Sequence, residues 1–170
     1  MLRLSGGIAQ IEFYQGARVS IEGPAQFEII SSGEAACSRG KLSAHVPPQA
    51  KGFRIHTPSG TVVDLGTEFG LEINAKGAEV HVFKGEVELH AHAAEVQSLK
   101  EGQAMAFAGT RQLLPANQSE FASLGELDER SALSQRVQFE RWLAAAVERN
   151  ASPGLRVRFD FQEGDGIRSL

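Results

Sequence analysis

The sequence predicts an all-β fold, an antiparallel sandwich or barrel-like domain of about ten to twelve short strands followed by one C-terminal helix. Three observations carry that expectation. Apolar and polar residues alternate with period two through most of the first 114 residues. Turn signals rich in Gly, Pro and Ser break the alternation every roughly 8 to 12 residues, the spacing of sandwiches and barrels. Glycine is in excess at 18 of 170 residues, where an average protein carries about 7%.

The elements follow in order. A first run, residues 8–13, ends at Gln15-Gly16, and a second, 17–22, ends at Gly23-Pro24. Residues 26–29 stop near Ser31-Ser32-Gly33, and further runs span 41–46, 53–57, 62–65 and 69–73. Next come 79–83 and 86–90, then 96–99 and 103–107. Lys84-Gly85 separates two alternating runs by two residues, which predicts a tight β-hairpin there. Val80 and Val82 share one face of its first strand, and Val87, Leu89 and Ala91 share one face of its second. After Pro115 the glycines thin out. Leu133, Val137 and Ala144 fall on one helical face with Leu143 and Val147 beside them, so a helix is expected over residues 131–149. Residues 155–161 alternate again. The expected organisation is a β domain over 1–116, a linker and amphipathic helix over 117–150, and the cut-off start of a second β domain over 151–170.

Composition removes several function classes. Lys and Arg total 17 and Asp and Glu total 21, a net charge of −4. That balance gives no electrostatic footprint for nucleic acid or an anionic membrane surface. A hydrophobic fraction of 42% is enough to build a core at this length. No run approaches the ~18 to 20 apolar residues of a membrane span, and no apolar stretch follows Arg3 as in a signal peptide. With Cys37 alone, neither an intrachain disulfide nor a cysteine-based zinc site can form.

Few residues suggest chemistry. His90 and His92, followed by Glu95 and Gly102, resemble the glycine, H-x-H, glutamate and glycine arrangement of cupin-type metal sites, since histidines two apart on a strand share a face. Both the Gly85-to-His90 and the His92-to-Glu95 gaps are one residue short of that pattern. Moreover, Val87, Leu89 and Ala91 claim the core face, which turns His90 and His92 outward with Glu86 and Glu88. Asp64 and Glu68 could be an acid/base pair, but Gly66 lies between them, and Asp64 and Thr67 read more simply as turn residues bonded to nearby backbone N–H groups. Cys37 and His45 lack an activating context. Ser5, Ser20 and Ser59 lack a nucleophile-elbow setting, and no phosphate-binding glycine loop is present. No cofactor is expected.

Three further stretches are more telling. They are Gly23-Pro24 within Val19 to Phe27, Thr57-Pro58 closing Phe53-Arg54-Ile55-His56, and Asp64-Leu65-Gly66-Thr67 followed by Phe69. With Val80-His81-Val82-Phe83-Lys84-Gly85 and Gly102-Gln103, this succession resembles the FecR domain over residues 6–107, particularly the planctomycete form. The resemblance implies a non-enzymatic, extracytoplasmic all-β domain with a protein partner in the cell envelope. In its best-known members the domain follows an anti-sigma segment and a membrane helix and relays a receptor's state to a sigma factor. Gly23, Pro24, Thr57, Pro58, Asp64, Leu65, Gly66, Thr67, Phe69, Gly85 and Gly102 are then turn and core positions. The tail from Arg141 to Phe161 resembles the linker into a concanavalin A-like (LamG) lectin domain. By that likeness carbohydrate would be bound only through a further domain, and the membrane reached only through further segments.

Overall fold

The computed structural model of the chain describes residues 1–75, 77–91, 95–106, 112–122, 133 and 135–146. The chain divides into two units, Met1–Leu127 and Asp128–Leu170. Among the described residues the first unit holds twelve strands. They are β1 (Leu2–Leu4), β2 (Ile8–Glu12), β3 (Arg18–Ile29), β4 (Glu34–His45), β5 (Arg54–Thr57), β6 (Gly60–Asp64), β7 (Glu68–Asn74), β8 (Gly77–Lys84), β9 (Glu86–Ala91), β10 (Gln97–Lys100), β11 (Gln103–Ala106) and β12 (Gln112–Pro115). The all-β expectation holds, and the strand count falls at the top of its range.

All twelve belong to one curled sheet that forks at β4. One edge of β4 pairs with β3, which in turn carries β1 and β2 on its far edge. On the other edge, Glu34 to Ala36 takes β5, while Gly40 to His45 takes β7. One arm then runs β5-β6-β9-β10 and the other β7-β8-β11-β12. Inward residues of both arms, Ile55, Val62 and Leu89 from one and Phe69, Leu71 and Val82 from the other, join a single buried cluster. The arms therefore face each other across one core. Within it Phe13 and Phe53 meet edge to face, ring centroids 4.7 Å apart, a geometry aromatic pairs favour.

Three expectations change. The hairpin at Lys84-Gly85 does not exist: β8 pairs with β7 and β11, and β9 with β6 and β10. Gly85 is instead a corner at which the chain leaves one arm for the other. The gap between residues 22 and 26 is no break either. β3 continues through Gly23 and Pro24, whose peptide bond is cis, and the turn signal is absorbed as a shift of register against β4. Finally, β4 and β5 pair in parallel, because the intervening segment, with a 3-10 turn over Pro48–Ala50, crosses over as parallel neighbours require.

Of the second unit the structure describes a helix, α1, over residues 135–146, inside the expected span. Arg136 and Glu140 pair at 3.5 Å one turn apart, and Phe139 stacks on Trp142 at 6.0 Å. The strand expected over 155–161 and the lectin-like start over 151–170 lie outside the described residues.

Candidate functional site

Three of the marked glycines share one role. Gly66 lies between β6 and β7, Gly85 between β8 and β9, and Gly102 between β10 and β11; each connection crosses from one arm to the other. Their φ values of +99°, +84° and +81° lie in the region that side chains resist. The corners stack on one another through main-chain bonds. Leu65 N–H donates to Glu86 O at 3.2 Å and Glu101 N–H to Gly85 O at 3.0 Å, while Ala116 N–H, just past β12, donates to Gly102 O at 2.9 Å. A Cβ on Gly85 would stand 2.7 Å from Thr67 Cγ2 and 2.9 Å from Gly66 O. That corner has no room for a side chain.

Asp64 pins the first corner. It is fully buried, and its carboxylate accepts from Gly66 N–H at 2.5 Å and from the Thr67 hydroxyl. Burial pushes its carboxyl up to about 7, against the lowering effect of the Gly66 and Thr67 backbone N–H groups and of nearby Lys51. Glu68 points to other company, with Oε1 3.1 Å from His45 Nδ1. Asp64 thus holds a turn N–H as a turn residue does, whereas the Thr67 hydroxyl bonds the Asp64 carboxylate rather than a backbone N–H. Leu65 lies in the same corner, and Phe69 is core. Thr57 and Pro58 make the tight turn between β5 and β6. The Thr57 hydroxyl donates to Gly60 O at 2.8 Å, and Ser59 N–H donates to Thr57 Oγ1 at 3.2 Å.

The H-x-H reading meets its parity objection. His90 is exposed, with Nε2 3.1 Å from Glu88 Oε2, while Val87 and Leu89 are core. Glu95 is exposed, and His92 lies outside the described residues. Cys37 is buried, and burial pushes its thiol up to about 11. At pH 8 only about one thousandth is then thiolate, the reactive form. A disulfide reagent should react with Cys37 far more slowly in the folded protein than in denaturant; equal rates would contradict the enclosed thiol.

A surface that sequence reasoning missed lies on the outward face of β3, β4, β7 and β8. Cross-strand register sets Ser20, Ser43, Gly70 and His81 in one row, with Glu22, Lys41 and Glu72 in the next. Across the first row lies Phe121, only 7% exposed. Its ring is 5.1 Å from His81 and 5.5 Å from Phe83, and Lys41 Nζ sits 4.9 Å from its centroid. A Cβ on Gly70 would come within 2.6 Å of the ring. The main chain is gripped as well. Ala122 N–H donates to Glu22 Oε1 and Ala122 O accepts from Ser43 Oγ, both at 2.8 Å. Glu120 O accepts from Lys41 Nζ at 3.1 Å, and Asn117 N–H donates to His81 Nδ1 at 3.1 Å. The signals were a glycine inside an alternating strand, which often marks close approach, and one aromatic in a polar connector.

The FecR protein family matches residues 3–88, just over half of the chain. Two crystal structures of a protein assigned as an anti-sigma factor from Parabacteroides distasonis share the fold. They are 18% and 19% identical to this chain, with TM-scores of 0.56 and 0.55. Each comparison covers 69% of this chain and 58% of the other, so the chain spans little more than half of that protein's length. No curated protein matches it.

Proposed function

The chain belongs to the FecR protein family, and on that premise we propose that it is the protein-binding domain of a signalling regulator, held outside the cytoplasm by a membrane anchor and without catalytic activity. The observation that carries this reading is the family match over the forked sheet, supported by the fold shared with a protein assigned as an anti-sigma factor. The chemistry-bearing side chains fit a scaffold. Asp64 is enclosed at a corner, Cys37 holds its proton, and Glu68 faces His45. No helix among the described residues is long and apolar enough to cross a membrane.

Deleting this domain from the parent gene and profiling transcripts tests the reading. The expected result is a coordinated change in genes that share one promoter class. An unchanged profile, together with turnover of a substrate by the purified domain, would overturn it.

A further inference from the structure

We propose that the outward trough of β3, β4, β7 and β8 is a peptide-recognition groove occupied in cis by residues 117–122, and that a protein partner engages the domain by replacing this strap with its own aromatic-anchored segment. The occupant itself shows what the groove accepts. Its anchor is one aromatic ring, seated where Gly70 leaves out a side chain and walled by His81 and Phe83. The remaining grip is on the main chain: both polar groups of Ala122 are held by side chains of β3 and β4. Side chains that bind backbone around the strap's 3-10 turn at Gln118–Glu120, combined with one pocket for a ring, select a peptide by its aromatic anchor with little demand on its other residues.

Two details mark the trough as more than a packing seam. Ser20 stands opposite Ser43 in the β3–β4 register. It is fully buried, and its hydroxyl has no hydrogen-bond partner among the described residues. A buried hydroxyl left unpaired is costly, and here it offers a donor and acceptor that the strap does not use. His81 Nδ1 accepts from Asn117 N–H, which places the ring proton on Nε2, beside Glu79 Oε1 at 3.0 Å. The imidazole is thus oriented with an acceptor toward the incoming backbone.

The partner half of this inference rests on the protein-binding reading; the groove itself rests on geometry. The test uses the full chain and an acetylated, amidated, dye-labelled peptide of residues 117–122, with binding read by anisotropy. Phe121→Ala should free the groove and bind the peptide at least roughly tenfold more tightly than the unaltered chain, because an occupied site weakens apparent affinity by its free fraction. Adding Gly70→Ala should abolish binding, and a peptide with alanine at the aromatic position should not bind. Circular dichroism checks the fold; if Phe121→Ala fails to fold, Phe121→Leu takes its place with the same readout. A folded variant that ignores the peptide, or binding that survives Gly70→Ala, would overturn the groove. Dimers of the unaltered chain that vanish in Phe121→Ala would assign the trough to a second copy and overturn the foreign partner. Since the probe is the chain's own sequence, failure here leaves the transcript result of the signalling reading untouched.

Discussion

Gly85→Ala is expected to destabilise the protein by about 2 to 5 kcal/mol, the sum of left-handed strain and overpacking. Its φ of +84° is unfavourable for alanine, and the new methyl would meet Thr67 Cγ2 at 2.7 Å and Gly66 O at 2.9 Å. The second contact is backbone, which cannot swing aside. The neighbouring corners supply controls. Gly66 and Gly102 have φ of +99° and +81°, yet nothing lies within 4 Å of the added carbon at either site. Alanine there should cost only the conformational part, about 1 to 2 kcal/mol. Denaturant melts of the three variants decide the matter: equal losses at all three corners would show that the stacking of Gly85 on the first corner contributes nothing.

Asp64 carries the second large effect, and it depends on pH. Burial raises the folded carboxyl from 3.8 to about 7. Between those values the folded state holds a proton that the unfolded chain releases, so the contribution of Asp64 to stability is fully present below pH 3.8 and is lost as pH rises toward 7. A displacement of three units corresponds to on the order of 4 kcal/mol at 1.36 kcal/mol per unit. Asp64→Asn keeps an acceptor for Gly66 N–H and cannot ionise. The Thr67 hydroxyl can turn to accept from its amide, so the variant should gain on the unaltered chain from pH 4 to pH 8. Asp64→Ala cannot ionise either but leaves both donors unpaired, so it should be about 1 to 3 kcal/mol less stable than Asp64→Asn at every pH. A stability difference between the unaltered chain and Asp64→Asn that stays constant across the range would refute the enclosed-carboxyl account.

Much of the fold was legible because burial alternates locally. Val80 and Val82 against His81, or Val87 and Leu89 against Glu88 and His90, announce strand and facing in a few letters, and the structure keeps each assignment. Pairing was not legible. A two-residue gap with a glycine of positive φ reads the same whether its flanking strands pair or part, and at Lys84-Gly85 they part. The partners of β9 are chosen by the fork at β4, which no local pattern encodes. The strap was hidden for a related reason. Ser43 and Ala122 lie 79 positions apart, and Glu22 and Ala122 lie 100 apart, so only the assembled sheet reveals that Gly70 is a socket.

The three crossings also determine how the domain comes apart. Neither arm is a continuous length of chain: one is built from β5, β6, β9 and β10, the other from β7, β8, β11 and β12. A protease cut at the Gly85 corner divides both arms between the two fragments, whereas a cut at Gly66 or Gly102 leaves one arm whole and splits only the other. Amide hydrogens of β6, β9, β7 and β8 should therefore exchange in one cooperative opening, as members of a single foldon. A tug transmitted along the chain would be borne by both arms at once.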